Sequence, residues 1–234
     1  MASKKPSIVF AHGLWADGSC FAMLIPALQR EGHEVISAQN SLDSLEGEVD
    51  AVHRALERVG APAVVVGHSW GGFVITAAGN HEKVAGLVYV AAISPEAGES
   101  AQDQIGAFPA PELFSHLEEE NGRIWIARDG ISHFCGDLSP EDQQLVWATQ
   151  GAPRAEILGA TTDRPAWKSK PAWYLLTTQD RAVHPDLQRF VSQRMNATTV
   201  EVDSSHVPML SRPDAVLDLI RQAADAVAAG QTGG

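Results

Sequence analysis

The chain has 234 residues, of which 44% are hydrophobic and 20% are charged, a composition typical of one globular domain. The 29 acidic and 17 basic residues give a formal net charge of −12, and such a surface repels nucleic-acid phosphates and anionic lipid headgroups. We therefore expect neither nucleic acid nor a membrane as a partner. The short apolar run after Lys5 lacks the features of a secretory signal, which predicts a cytoplasmic protein.

Strand-like and helix-like segments alternate along most of the chain. Strands are predicted at 8–11, 35–37, 63–66, 84–92, 173–177 and 198–202, and helices at 21–30, 45–59, 72–80, 185–195 and 213–228. The run at 63–66 is apolar without interruption, as in parallel strands that are buried on both faces. This alternation predicts an α/β fold with a mostly parallel central sheet and helices on both faces.

The alternation is interrupted between residues 94 and 170. This stretch is too long and too apolar for a simple loop, which predicts a small inserted cap between two parts of a core, 1–93 and 171–234. Residues 230–234 are predicted to be a disordered tail. The apolar side chains of the cap form a satellite core or roof a pocket, and their spacing does not separate these roles. They are Phe108, Leu113, Phe114, Ile124, Trp125, Ile126, Phe134 and Trp147.

The segment 67–71 reads Gly-His-Ser-Trp-Gly and matches the pattern G-x-S-x-G. It follows a buried strand and opens a helix, which is the setting in which this pattern presents a nucleophilic serine. Gly67 and Gly71 remove the side chains that would collide where strand and helix approach each other. The alternative, a serine that only caps the helix, explains neither glycine. Ser69 is therefore the predicted nucleophile.

A serine nucleophile needs a general base, and in this setting the chain order is serine, acid, histidine. His206 directly follows the last predicted strand, so it is the predicted base. His184 precedes Pro185 at the start of a predicted helix, where a capping role suits it better.

The acid should hold the histidine in one orientation. Asp180 follows the strand at 173–177 and is the predicted acid. Asp186 falls in the first turn of a predicted helix, and Asp203 is only three residues from His206, so both are weaker candidates.

A tetrahedral intermediate needs N–H donors for its oxyanion. The backbone N–H of Trp70, which follows the nucleophile, is one predicted donor, and that of Leu14, after the first strand, is the other.

With these motifs, the chain resembles the α/β-hydrolase superfamily over about residues 6–229. Within it, the chain is similar to the small group that contains plant methylesterases and hydroxynitrile lyases. The resemblance implies ester hydrolysis through an acyl-enzyme, with no metal and no organic cofactor. The residues that carry it are His12, Gly13, Trp15, Gly67-His68-Ser69-Trp70-Gly71-Gly72, Asp180 and Ser205-His206-Val207-Pro208-Met209.

The lyases of this group use a threonine after the first-loop histidine and a lysine after the catalytic histidine. Gly13 and Val207 stand at these positions, which favours the esterase side of the group. With Trp125 of the cap, Gly13 and Val207 are the expected substrate-binding residues.

Metal and phosphate sites are not predicted. His33-Glu34 and His81-Glu82 begin like the zinc pattern H-E-x-x-H, but Ser37 and Ala85 occupy the second histidine positions. The sequence also lacks a glycine-rich phosphate loop.

The predicted function is hydrolysis of a small apolar acyl or aryl ester. Hydrolysis of a lactone, C–C hydrolysis and perhydrolysis use the same three residues and remain alternatives, as does a non-enzymatic small-molecule receptor on this fold. A homodimer is compatible with the sequence.

Overall fold

Six parallel strands form the central sheet of the computed structural model, which describes residues 5–60 and 62–231. The strands of this sheet are β1 (Ser7–Ala11), β2 (Val35–Ser37), β3 (Ala63–His68), β4 (Val84–Val90), β7 (Ala172–Thr177) and β8 (Thr198–Val202). Their order across the sheet is β2-β1-β3-β4-β7-β8. The strands β5 (Leu117–Glu120) and β6 (Arg123–Ile126) form a separate hairpin. The predicted α/β fold is confirmed, and the carboxyl ends of all six strands meet at one edge.

Nine α-helices are present in the described residues. They are α1 (Ile25–Arg30), α2 (Leu45–Glu57), α3 (Trp70–Ala78), α4 (Ala101–Gly106), α5 (Ile131–Cys135), α6 (Pro140–Ala148), α7 (Pro185–Arg194), α8 (Pro208–Ser211) and α9 (Pro213–Gln231). Across residues 5–60 and 62–231, no helix has the length and apolar character that crossing a bilayer requires.

Helices cover both faces of the sheet. A Cβ on Gly86 would contact Val227 of α9, and Gly86 pairs with Val64 of β3. Gly67 lies three residues after Val64 on the same strand, so it faces the other side, where a Cβ would collide with the backbone of α3. α3 and α9 therefore pack on opposite faces.

Two predicted segments differ from the structure by more than two residues at one end. The helix predicted at 21–30 begins only at Ile25, after a 3₁₀ turn at Gly18–Phe21, because Pro26 is tolerated only in the first turn of a helix. α9 continues through Gly230 to Gln231, which the sequence assigned to a disordered tail, and residues 232–234 lie outside the described residues.

The segment between β4 and β7, which we call the cap segment (residues 91–171), has secondary structure of its own. It contains α4, α5, α6 and the β5–β6 hairpin. The hairpin turns at Asn121 and Gly122, which both have positive φ angles, 54° and 73°. Asn-Gly is the sequence that a two-residue turn of this kind favours, so this hairpin could have been predicted.

Substituting Gly71 should destabilise the fold, because an added Cβ would collide with the backbone carbonyl of Ala11. We expect Gly71→Ala to lower the free energy of unfolding by about 1–3 kcal/mol, the usual cost of overpacking. Gly106→Ala is the matched control, because a Cβ there meets no atom within 4 Å. Thermal or urea unfolding of both variants makes the comparison, and equal stability of the two would contradict this account.

Candidate active site

Ser69 occupies the sharp turn between β3 and α3. Its backbone has φ 54° and ψ −122°, a conformation that is costly for a residue with a side chain. The Ser69 N–H donates to the carbonyl of Val90 at 3.0 Å, and the Ser69 carbonyl accepts from the Gly72 N–H at 2.9 Å. The neighbouring strand and the first turn of α3 thus fix this strained residue in place.

The loop after β1 approaches Ser69 closely. A Cβ on Gly13 would lie 2.7 Å from the Cβ of Ser69, so only glycine permits this contact. His12 anchors the loop, because its Nδ1 donates to the Gly13 carbonyl at 3.0 Å and its Nε2 accepts from the Asn40 N–H at 3.1 Å. Burial lowers the pKa of His12, which keeps the ring neutral and suited to both bonds.

Two backbone N–H groups lie at the Ser69 turn. Trp70 is the first residue of α3, so its N–H has no carbonyl one turn earlier to bond. The N–H of Leu14 takes no part in the loop and turn hydrogen bonds of the described backbone. Both residues line the same cavity as Ser69.

Asp180 and His206 form a buried pair at the carboxyl edge of the sheet. Nδ1 of His206 lies 2.7 Å from Oδ2 of Asp180, and the two side chains are 1% and 0% exposed. Asp180 follows β7 and His206 follows β8, and these strands are neighbours in the sheet. Asp186 instead forms an ion pair with Arg189, at 3.0 Å.

The Asp180 carboxylate is held by further donors on both oxygens. Oδ1 accepts from the N–H groups of Ala182 and Val183 at 2.8 and 2.9 Å. Oδ2 accepts from Thr177 Oγ1 at 2.9 Å and from Gln188 Nε2 at 2.8 Å. Sequence reasoning missed Thr177 and Gln188, because no local pattern links them to an aspartate across a turn and a helix.

The other ring nitrogen of His206, Nε2, is buried and makes no hydrogen bond to the described residues. Ser69 and His206 line one cavity, yet no hydrogen bond joins them among the described residues. Contacts between catalytic groups in structures without substrate are often long and tighten only on binding.

Aromatic rings and a second histidine surround His206. His68 places its Nε2 2.8 Å from the His206 carbonyl, and the two rings lie 4.8 Å apart. Burial has the largest effect on the pKa of His68 and lowers it well below its usual value, and the neighbouring His206 lowers it further. His68 therefore acts here as a neutral donor. Phe134 of the cap segment lies 5.1 Å from the His206 ring.

The cap segment also holds the loop that carries His206. Asp137 Oδ2 accepts from Ser204 Oγ at 3.1 Å and from the Ser205 N–H at 3.0 Å, and its Oδ1 bonds the Ser205 hydroxyl. Burial alone would raise the pKa of Asp137, but the hydrogen bonds from Ser205 lower it overall. This carboxylate, which sequence reasoning missed, ties the cap segment to the residue before His206.

Glu48 of α2 is a buried carboxyl beside the Ser69 turn. Its Oε2 accepts from the Trp70 indole N–H at 2.5 Å, and Glu48 is 0% exposed. Burial raises the pKa of Glu48 to about 8 despite the lowering effect of that hydrogen bond, so the group is largely protonated at neutral pH. Sequence reasoning missed it, although Glu48 shares the apolar face of α2 with Leu45 and Val52.

The cavity above Ser69 has a volume of about 160 Å³ and apolar walls. Residues outside the cap segment form part of its lining, namely Leu14, Trp15, Ser69, Trp70, Ala182, Val183 and His206. Side chains of the cap segment form the rest. The cap residues are Ile93, Ile105, Phe114, Leu117, Ile124 and Leu158.

The three expected substrate-binding residues take different positions relative to the Ser69 cavity. Trp125 is 36% exposed and outside the cavity, because side chains alternate along β6 and its neighbour Ile124 faces inward. Val207 lines a second cavity rather than the one that contains Ser69. Gly13 contacts Ser69 itself, where its lack of a side chain permits a close approach.

A metal site is absent from the described residues, since no cluster of three or more His, Cys, Asp or Glu side chains there could hold an ion.

Comparison with known proteins assigns the sequence to a family. The model of the alpha/beta hydrolase family matches residues 8–219. The alpha/beta hydrolase nvfD of Aspergillus novofumigatus is 25% identical over an alignment of 249 positions, which spans 94% of this chain and 97% of that protein. A carbendazim hydrolyzing esterase of Nocardioides sp. is 28% identical over 153 residues, 59% of this chain and 61% of that protein.

The fold recurs in solved structures. The crystal structure of a pyrethroid hydrolase from Sphingobium faniae matches with a TM-score of 0.78 at 21% identity, over 94% of this chain and 98% of that one. At this identity the likeness shows the fold alone. Since the family model spans most of the sequence, the chain belongs to the alpha/beta hydrolase family and, as predicted, is a serine hydrolase.

Proposed function

We propose that the protein hydrolyses carboxylic esters, with Ser69 as nucleophile, His206 as general base and Asp180 as the acid that orients it. One observation carries the proposal: Asp180 bonds Nδ1 of His206 at 2.7 Å, which leaves the unpartnered Nε2 as the basic atom at the Ser69 cavity. Asp180 accepts from four further groups, so it favours one tautomer and stabilises the imidazolium that forms.

In the first half-reaction, Ser69 Oγ attacks the ester carbonyl while its proton passes to His206 Nε2. The carbonyl oxygen becomes an oxyanion, which the backbone N–H groups of Leu14 and Trp70 bind. The intermediate collapses by breaking the bond to the alcohol oxygen, and His206 returns its proton to that oxygen. An acyl group then remains on Ser69.

In the second half-reaction, His206 takes a proton from water, and the hydroxide oxygen attacks the acyl carbon. Collapse of this intermediate breaks the bond to Ser69 Oγ, which receives the proton. The acid leaves and the free serine is restored. None of these steps requires a metal or an organic cofactor.

The cavity favours a small apolar substrate. Its walls are almost entirely apolar and its volume is about 160 Å³. An apolar cavity of roughly 150 Å³ can hold a benzene ring, so a short acyl or aryl group suits this space. The names of two similar proteins, the alpha/beta hydrolase nvfD and a carbendazim hydrolyzing esterase, also support hydrolysis as the activity.

Removing the nucleophile should abolish turnover. We expect Ser69→Ala to lower kcat on p-nitrophenyl acetate by on the order of 10⁶-fold, as when other serine nucleophiles are removed. A fluorophosphonate should label the wild-type protein at Ser69, located by peptide mass spectrometry, and should leave the variant unlabelled. Labelling at another residue would contradict the assignment. Tight ester binding without turnover by the wild type would point to a receptor instead.

Asp180→Asn should keep the His206 contact but favour the wrong tautomer. We expect a loss of about 10⁴-fold in kcat, the size seen when such an aspartate is changed to asparagine. The matched control is Asp203→Asn, because Asp203 is exposed and lies only three residues from His206. Both variants are compared with the wild type by kcat and by thermal unfolding. If the Asp203 variant is the crippled one, Asp180 is not the acid.

The protein should cleave esters and not cyanohydrins. Val207 offers no cation for a departing cyanide, and no lysine or arginine lines the Ser69 cavity among the described residues. Incubation with phenyl acetate should release phenol, whereas mandelonitrile should release benzaldehyde no faster than the uncatalysed control. The opposite pattern would make the protein a lyase. Lactones, which are cyclic esters, are included in the same panel to test the alternative that the protein hydrolyses lactones.

A further inference from the structure

A second apolar cavity, of about 100 Å³, lies next to the Ser69 cavity. Its walls come from the 3₁₀ turn after β1, from Val146 of α6 and from Met209 of α8. Of the residues that line either cavity, Trp15 is the one that lines both. Because Trp15 lines both cavities and is only 6% exposed, it forms a buried wall that the two cavities share.

The cap segment holds Trp15 in this position. The indole N–H donates to the carbonyl of Ile124 at 2.9 Å, and the backbone N–H donates to the carbonyl of Gly151 at 3.0 Å. The indole also meets the Phe134 ring edge-on, with centroids 6.1 Å apart. Contacts from three different parts of the cap segment therefore fix one wall between the cavities.

The Trp15 backbone is strained, with φ at 56°. A residue with a bulky side chain rarely adopts this conformation, and such strain persists only where surrounding contacts over-determine it. Strained residues of this kind are concentrated at functional sites. This backbone conformation places the large indole ring between the first and second cavities. A small side chain at this position would leave the two cavities continuous.

We propose that Trp15 determines substrate specificity, by confining one apolar arm of the ester to the first cavity and closing off the second. This inference rests on the proposed ester hydrolysis at Ser69. It assigns to the wild type a substrate whose longer arm is about the size of a phenyl ring. Without the indole, the first and second cavities form one elongated space for an extended aliphatic arm.

The effect has a calculable size. Burying one methylene group is worth about fourfold in binding, and a gain made in the transition state appears in kcat/KM. In the wild type, kcat/KM should stop rising once an arm fills the first cavity. In Trp15→Ala the rise should continue through further methylenes, so a few of them give a change of about tenfold or more.

The test measures kcat/KM for two series of esters. One series is p-nitrophenyl butyrate, hexanoate, octanoate and decanoate, which lengthens the acyl arm. The other is the acetates of the matching straight-chain alcohols, which lengthens the alcohol arm. We expect the long-to-short ratio of kcat/KM to rise about tenfold or more in Trp15→Ala relative to the wild type, in at least one series. An unchanged ratio in both series overturns the proposal.

A filling substitution provides the control. Val146 lines only the second cavity, so Val146→Phe should leave the wild-type chain-length preference unchanged. Combined with Trp15→Ala, it should remove the gain for long arms. A gain that survives in the double variant would mean that the extra space lies elsewhere, and the proposal fails.

Two further measurements keep the result interpretable. Trp15→Leu, which also shortens the side chain but buries more apolar surface, is measured beside Trp15→Ala, and both are checked by thermal unfolding. Wild-type turnover of the shortest esters decides the proposed function separately. Hydrolysis of short esters with no change of ratio in either variant refutes only the role of Trp15, whereas no ester turnover at all refutes the function itself.

Discussion

The close approach of three backbone segments around Ser69 is the constraint on which the rest of the structure depends. Gly71 lies against the end of β1, Gly67 lies against α3, and Gly13 lies against Ser69 itself. No side chain fits at any of these contacts. The strained backbone of Ser69 persists because these segments and the carbonyl of Val90 fix it. Its hydroxyl and the neighbouring N–H groups are positioned before any substrate binds.

Burial sets the charge state of the groups around this turn. Burial lowers the pKa of His12 and of His68, so both serve as neutral hydrogen-bonding groups that hold loops. Burial raises the pKa of Glu48 to about 8, and its carboxyl supports the Trp70 indole. Five donors surround the Asp180 carboxylate. A buried carboxylate that is this well bonded is available to pair with a histidine.

The cap segment does more than cover the cavity. Through Asp137 it bonds the loop that carries His206, and through Ile124 and Gly151 it holds Trp15. The loop that carries His206 and one wall of the cavity therefore both depend on the cap segment. Changes in the cap segment can alter the shape of the cavity and the position of His206 together, because neither is fixed by the sheet alone.

The sequence by itself determined the six strands of the central sheet, five helices outside the cap segment and the Ser69 turn, because strand periodicity, glycine spacing and chain order are local properties of the chain. It also singled out Asp180 and His206 as the residues that follow β7 and β8. Only the tertiary structure decided which face of β6 lines the cavity, so that Ile124 and not Trp125 lies inside. The contact between Glu48 and Trp70 likewise depends on how α2 packs against α3. Such choices depend on contacts between distant segments, and no local pattern encodes them.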